Sequence, residues 1–202
     1  VMDGAMPAAL KELKRVIKFV LDTRTFGLKI EPKLGEDKNK WTMAVFTDSK
    51  YSGDKETRLS VGGFIIFLLG VPILWKSKAQ KSVTLSSAES EFVALSEAAK
   101  EIKFVVMILE SMGIIVELPI IVRVDNVGAI FMSENASTSS RTRHVDIRYH
   151  FVREFVEEGF IRIVFVRSEA NISDEFTKNV SGAIHDAHVS EYMAERNELL
   201  GK

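Results

Sequence analysis

Apolar residues recur along this chain with two periods, and the changes of period mark out its elements. In residues 7–23, Leu10, Leu13, Ile17, Val20 and Leu21 fall at helical spacing, while Lys11, Lys14, Arg15 and Lys18 fill the positions between them. That pattern predicts one amphipathic helix. A short extended piece over 27–30 leads into residues 32–40, where Pro32, Gly35 and alternating charges read as a linker. The expected division is therefore 1–40, a main domain over 41–180, and a polar tail over 181–202.

Within the main domain, residues 42–47, 59–69 and 73–85 read as strands, and a turn at 70–72 folds them into an antiparallel meander. Residues 88–112 carry Phe92, Leu95, Ala98, Ala99, Ile102, Val105, Val106 and Leu109 at helical spacing. This is a long helix, expected to break near Glu101 and to stop at Gly113. The apolar run 120–124 ends in Asp125 and is followed by a short helix over 127–132 and a Ser/Thr-rich loop over 133–140. A helix over 145–157 stopped by Gly159, a fifth strand over 160–166 and a helix opening at 173–177 complete the order βββαβαβα. Parallel pairs need helical crossovers, so the order implies an α/β fold: a mixed five-stranded sheet, three antiparallel strands followed by two parallel ones, flanked by helices. A last helix is expected over 189–200, and no internal repeat is visible.

Composition narrows the chemistry. The 202 residues are 46% hydrophobic, enough to bury a substantial core. The 27 Lys and Arg nearly balance the 28 Asp and Glu, so any affinity for nucleic acid must come from local patches. The absence of cysteine excludes a disulfide framework, thiolate-bound zinc and a thiol nucleophile, and leaves oxygen or imidazole as ligands. The uncharged run 61–75 is too short to span a bilayer and is broken by Gly62, Gly63, Gly70 and Pro72, so no membrane partner is expected.

Three acidic residues stand at the ends of predicted strands or at a helix start: Asp48, Asp125 and Asp174. Another acidic pair, Glu89 and Glu91, lies in the first turns of the long helix. Carboxylates brought together from several elements can hold Mg²⁺, which takes oxygen ligands and keeps some of its water. Each also has a structural alternative, since Asp48 can serve a turn and Asp125 and Asp174 can favour helix N-termini.

Ser86 and Glu89 stand at capping-box spacing, which gives Glu89 a structural task at the helix start. Residues two apart on a helix point about 200° from each other, so Glu89 and Glu91 cannot both face one cluster. Glu91 is the candidate for the site.

Five segments in order resemble the ribonuclease H domain that ends the polyprotein of copia-type LTR retrotransposons. They are Phe46-Thr47-Asp48-Ser49-Lys50-Tyr51-Ser52; Trp75-Lys76-Ser77-Lys78-Ala79-Gln80-Lys81 with Ser86-Ser87-Ala88-Glu89-Ser90-Glu91-Phe92; Val124-Asp125-Asn126-Val127-Gly128; Arg141-Thr142-Arg143-His144-Val145-Asp146; and Asp174-Glu175-Phe176-Thr177-Lys178. The resemblance covers about residues 42–180. Residues 8–27 look like the helix and turn that close the reverse transcriptase in such polyproteins, while the polymerase's own catalytic aspartates are absent.

The resemblance implies hydrolysis of the RNA strand of RNA·DNA hybrids, leaving a 5′-phosphate and a 3′-hydroxyl. It implies two Mg²⁺ ions about 4 Å apart, replaceable by Mn²⁺, with Asp48 shared, Glu91 and Asp125 beside it and Asp174 completing the second site. The partners it implies are the hybrid and the reverse transcriptase domain of the same polyprotein, in the cytoplasm and in virus-like particles. Hybrid contacts are assigned to Lys76, Lys78, Lys81, Arg141, Arg143, Arg148 and Arg153, with Ser49 and Asn126 as hydrogen-bond donors beside the aspartates. The histidine that cellular ribonucleases H carry before the last Asp is missing from 167–173, and His144 is the candidate to stand in for it, capping its own helix being the alternative. His185 and His188 with Asp186 form a weak candidate metal pair. The rival readings are a catalytically inactive module that binds nucleic acid or a protein partner, and another nuclease of the same fold.

Overall fold

The computed structural model describes residues 7–35, 40–52, 56–134 and 143–195. Two compact units divide the chain. One comprises the described parts of Val1–Lys29 and Val189–Lys202, and the other is Ile30–His188.

In the first unit, helix α1 (Pro7–Asp22) is followed by strand β1 (Phe26–Leu28). Strand β1 pairs antiparallel with the last described strand, Met193–Glu195, and the Lys29 N–H donates to the Tyr192 carbonyl at 2.9 Å. Of the helix expected over 189–200, residues 189–192 close a helix that starts earlier, Met193–Glu195 are drawn into extended structure by this pairing, and 196–200 lie outside the described residues. That helix begins at Gly182 and ends at Tyr192, where the chain turns to extended structure.

The larger unit contains, in chain order, β2 (Lys40–Trp41), β3 (Met43–Lys50), β4 (Val61–Leu68), β5 (Val71–Ala79), α2 (Ser87–Ser111), β6 (Ile115–Val116), β7 (Ile120–Val124), α3 (Val127–Glu134), α4 (Arg143–Glu157) and β8 (Ile161–Phe165). Two 3-10 turns follow, Ser168–Ala170 and Ile172–Phe176, and then α5 (Gly182–Tyr192); Met193–Glu195 is β9. The main sheet has the order β5-β4-β3-β7-β8, with β3, β4 and β5 antiparallel and β7 and β8 parallel to β3. The expected mixed five-stranded α/β sheet is the one observed.

The β4–β5 turn falls one residue earlier than the proline suggested. Leu69 and Gly70 both have positive φ, 53° and 81°, as a two-residue turn of the hairpin-forming type requires. The third strand stops at Ala79 rather than near 85, because the Gln80 N–H closes onto the Ser60 carbonyl and the chain then leaves the sheet.

Helix α2 runs unbroken through Glu101, consistent with the absence of Gly or Pro between 88 and 112. Its first half is buried on most sides, through Phe92, Leu95, Ala98 and Ala99, which pack with Val45, Phe64, Ile66, Val122 and Val124 of the sheet. Complete burial of Phe92 and of Leu95 contributes about 2 kcal/mol each. That burial fixes the rotation of α2 and so the direction of Glu91. No described helix is long and apolar enough to cross a membrane.

Candidate metal centre

Asp48 lies on β3 two residues before its end, Asp125 immediately follows β7, and Asp174 sits in the 3-10 turn Ile172–Phe176. Strands β3 and β7 are parallel neighbours, so the side chains leaving their C-terminal ends meet at one edge of the sheet. Single oxygens of Asp48, Asp125 and Asp174 lie within 4.8 Å of one another, and this is the one group among the described residues that could hold a metal ion through three or more ligands. The side chains of Asp48, Asp125 and Asp174 are 1%, 10% and 6% exposed.

Glu91 joins from the second turn of α2. Its Oε1 accepts from the Ser49 N–H at 3.0 Å, and the residue is buried. Burial, then the charges of Asp48 and Asp125, push its pKa up from 4.5 to about 9; the Ser49 N–H opposes this and a shared hydrogen bond with Asp48 adds to it. Glu89 points elsewhere. Its N–H donates to Ser86 Oγ at 3.1 Å and its Oε2 accepts from the Leu85 N–H at 2.6 Å. The reciprocal bond of the cap thus reaches one residue further back than the Ser86 N–H that the sequence spacing suggested.

Several residues that sequence reasoning did not single out hold the aspartates in place. The Thr177 hydroxyl donates to Asp48 Oδ2. Ser168 Oγ donates to Asp125 Oδ2 at 2.6 Å. Asn171, fully buried, donates from Nδ2 to the Thr47 carbonyl at 3.1 Å and accepts from Ser173 Oγ at 2.7 Å, which fixes the turn bearing Asp174 to β3. Lys178 reaches into the cluster, with Nζ 3.0 Å from Asp174 Oδ2, 3.6 Å from Asp48 Oδ1 and 4.0 Å from Asp125 Oδ2. Burial alone would lower the Lys178 pKa, but the charges of Asp48, Asp174 and Asp125 outweigh it and the net direction is up. Asp174 is raised from 3.8 to about 7 by burial and by Asp48, against the pull of Lys178. For Lys178 the available signal was its spacing, four residues after Asp174.

Even with this support, Asp48 Oδ1, Glu91 Oε2 and Asp174 Oδ1 are buried with no N–H or hydroxyl donor, and the bond between Glu91 and Asp48 exists only while one of the two carries a proton. Unsatisfied buried carboxylate oxygens cost free energy unless a cation or proton meets them. Three such atoms beside one cluster of hard oxygen donors fit a divalent cation such as Mg²⁺.

The residues assigned to nucleic acid fare differently. Lys76, Lys78 and Lys81 line one groove with Gln80, Glu97 and Lys100, between the β4–β5 hairpin and α2. Lys76 pairs with Glu101 at 3.3 Å and Lys100 with Glu97 at 2.8 Å, whereas no described carboxylate pairs with Lys78 or Lys81. Ser49 is buried, with its Oγ 2.7 Å from Ser90 Oγ, and Asn126 Oδ1 accepts from the Ala129 N–H at 3.1 Å as a cap of α3. The Ser49 hydroxyl and the Asn126 Oδ1 acceptor are thus engaged within the protein. Arg153 is half-buried on α4. Arg141 lies outside the described residues, as do the side chains of Arg143, His144 and Arg148. His185 and His188 both face Glu175, at 3.2 and 3.6 Å, and His188 Nε2 lies 2.9 Å from the Glu169 carbonyl. They tie α5 to the turn that carries Asp174.

A mixed sheet of this order, with carboxylates gathered from β3, α2, β7 and the turn after β8, defines a protein of the ribonuclease H-like fold. The solved structure of LC11-RNase H1 in complex with RNA/DNA hybrid matches it with a TM-score of 0.50, over 67% of this chain and 93% of that one; at 15% identity this shows the fold alone. No protein-family model matches the chain. The retrovirus-related Pol polyprotein from transposon RE1 of Arabidopsis thaliana is 33% identical over 172 residues, 85% of this chain. That from transposon RE2 of the same plant is 32% identical over 169 residues, 84% of this chain. The chain's homologues are thus retrovirus-related Pol polyproteins of copia-type transposons, and its structural neighbours are ribonuclease H domains. The chain spans 11% of the length of either of those two relatives.

Proposed function

We propose that this chain is a divalent-metal-dependent ribonuclease H that hydrolyses the RNA strand of RNA·DNA hybrids during retrotransposon reverse transcription, leaving 5′-phosphate and 3′-hydroxyl ends. The observation that carries the reading is the convergence of Asp48, Asp125 and Asp174, with Glu91 behind them, around buried oxygens that no donor satisfies. On this reading Asp48, Glu91, Asp125 and Asp174 would be the residues that hold Mg²⁺ or Mn²⁺. The chemistry such ions would supply there is an activated water and charge stabilisation for the departing 3′ oxygen.

The chain's own side chains do the positioning. Ser49, Ser168 and Thr177 fix the directions of Glu91, Asp125 and Asp48 through the hydrogen bonds described above. Lys78 and Lys81, without a described carboxylate partner, present positive charge to backbone phosphates. Because hydrolysis must proceed whatever the sequence, recognition rests on phosphates and on the A-like shape and 2′-hydroxyls of the RNA strand.

The proposed partner besides the hybrid is the reverse transcriptase domain of the same polyprotein, with residues 1–40 belonging to its side of the junction, 41–180 as the ribonuclease H domain and 181–202 as a C-terminal extension. The proposed location is the cytoplasm and virus-like particles. The test offers RNA·DNA hybrid, duplex DNA and duplex RNA to the wild type and to Asp48→Asn in Mg²⁺, with hybrid binding measured in parallel. Cleavage of the hybrid alone, lost in the variant, is the expected result. Tight binding of hybrid without cleavage would instead establish an inactive binding module.

A further inference from the structure

An ammonium group stands where a divalent ion would go. Lys178 Nζ is within 4.0 Å of oxygens from Asp48, Asp125 and Asp174, the same three residues whose oxygens cluster within 4.8 Å. These carboxylates come from three separate elements, so the contact differs from an ordinary surface pair between neighbours on one helix. The fit is incomplete. Only the Asp174 contact, at 3.0 Å, is of hydrogen-bond length, and Asp48 Oδ1, Asp174 Oδ1 and Glu91 Oε2 stay unsatisfied with the lysine in place. A single positive charge held at 3.0–4.0 Å leaves a site that a doubly charged ion with ligands at about 2.1 Å would satisfy better. Lys178 enters from the solvent side, 34% exposed, on a flexible four-carbon stem, so it can withdraw without rearrangement of the fold.

We propose that Lys178 is an internal competitor for the metal centre: in the metal-free protein its ammonium holds the aspartates together, and binding of the divalent ion is an exchange that expels it. The inference rests on the metal-site reading of Asp48, Asp125 and Asp174 and adds a positioning residue to it. Lys178 keeps three like charges from repelling one another before metal arrives, at the cost of weaker metal affinity. Once displaced, its charge lies beside the centre rather than within it.

The test has two arms on the full 202-residue chain. In the first, Mn²⁺ is titrated calorimetrically into wild type, Lys178→Met and Asp48→Asn. Loss of the competitor should tighten Mn²⁺ binding on the order of ten-fold, while Asp48→Asn should abolish it. Equal or weaker binding by Lys178→Met, with Asp48→Asn still defective, would overturn the exchange and leave the metal site standing. Identical wild-type and Asp48→Asn isotherms would remove the metal site and the exchange together. The second arm uses wild type alone and so survives a misfolded variant: reductive methylation of Lys178 is followed by mass spectrometry in chelator and in saturating Mg²⁺. Expulsion from the carboxylates should raise the labelling rate several-fold. A rate unchanged by Mg²⁺ at concentrations that saturate binding would overturn the proposal.

Discussion

A side chain on Gly63 would collide with Phe176: a Cβ built there lies 2.6 Å from the Phe176 Cβ and 2.9 Å from Thr177 Cγ2. Gly63 is the residue paired with Asp48 across β3 and β4. The missing side chain is what allows the turn carrying Asp174 to lie against the sheet, close enough for Thr177 to donate to Asp48. One absent methyl group on β4 thus sets the distance between two candidate metal ligands.

Gly63→Ala is therefore expected to cost about 1–3 kcal/mol through overpacking and to weaken Mn²⁺ binding by moving Asp174 away from Asp48. Gly62→Ala is the milder comparison, since its Cβ would meet the Ala94 Cβ at 3.3 Å, the Gln80 amide nitrogen at 3.4 Å and the Ala94 Cα at 3.7 Å, none as close as the contacts at Gly63. Thermal melts and Mn²⁺ titrations of both variants check the point. Equal metal affinity in Gly63→Ala and wild type would show that the close approach is not what places Asp174.

The strands and long helix were legible because their signal is local. The apolar run of β4 and the helical repeat of Phe92, Leu95, Ala99 and Ile102 report burial directly, and the order of elements then leaves few ways to build the sheet. The four candidate carboxylates were legible from their place at strand ends and a helix start. Their supports were not, because those contacts join residues remote in sequence: Thr177 and Asp48 are 129 apart, Asn171 and Thr47 are 124 apart. Neighbours in sequence misled for a related reason. Ser49 follows Asp48, but adjacent residues of a strand face opposite ways, and Ser49 turns to Ser90 on α2. The three-residue strand β9 has too little sequence to show a period, and only its pairing with β1 defines it.

The raised pKa values give the metal-free protein a definite pH dependence. Asp174, raised to about 7, and Glu91, raised to about 9, keep protons in the folded chain at pH values where the unfolded chain has lost them. Their contribution to stability is thus complete below the ordinary carboxylate range and is lost as pH rises through 7 for Asp174 and 9 for Glu91. In chelator, Tm should fall as pH climbs from about 5 to about 9. Saturating Mg²⁺, which favours the ionised ligands, should flatten that fall, so that the gain in Tm on adding Mg²⁺ grows with pH. A chelator profile that stays level across this range would contradict the assignment of both shifts.

The basic groove yields a prediction about salt. Lys76 is engaged with Glu101 and Lys100 with Glu97, while Lys78 and Lys81 have no described carboxylate partner. Replacing Lys78 and Lys81 with Gln should reduce the salt slope of hybrid binding by about one for each phosphate left without its lysine. Lys76→Gln should change it less, because its charge is already paired. Equal slopes for the double variant and wild type would place the phosphate-binding surface elsewhere on the protein.

Glu89 and Glu91 make the sharpest comparison, since they are two residues apart on one helix and have opposite surroundings. Glu89 accepts from the Leu85 N–H and its own N–H is capped by Ser86, so its carboxylate closes the start of α2. Glu91 is buried against Asp48 and Asp125, with one oxygen on the Ser49 N–H and the other without a donor. Replacing Glu91 with Gln keeps an acceptor for Ser49 and turns the unsatisfied oxygen position into an amide that can donate to Asp48. The fold should survive, and in chelator near pH 9 the variant should melt no lower than wild type, because a buried like charge has been removed. Its cleavage of RNA·DNA hybrid in Mg²⁺ should be abolished, since an amide is a poorer ligand than a carboxylate and an ion at the site loses a charge. Glu89→Gln should keep most activity and cost at most about 1 kcal/mol through a weaker cap. Cleavage assays and melts of the two variants side by side decide the matter: an inactive Glu89→Gln beside an active Glu91→Gln would mean that the helix presents its other face to the substrate.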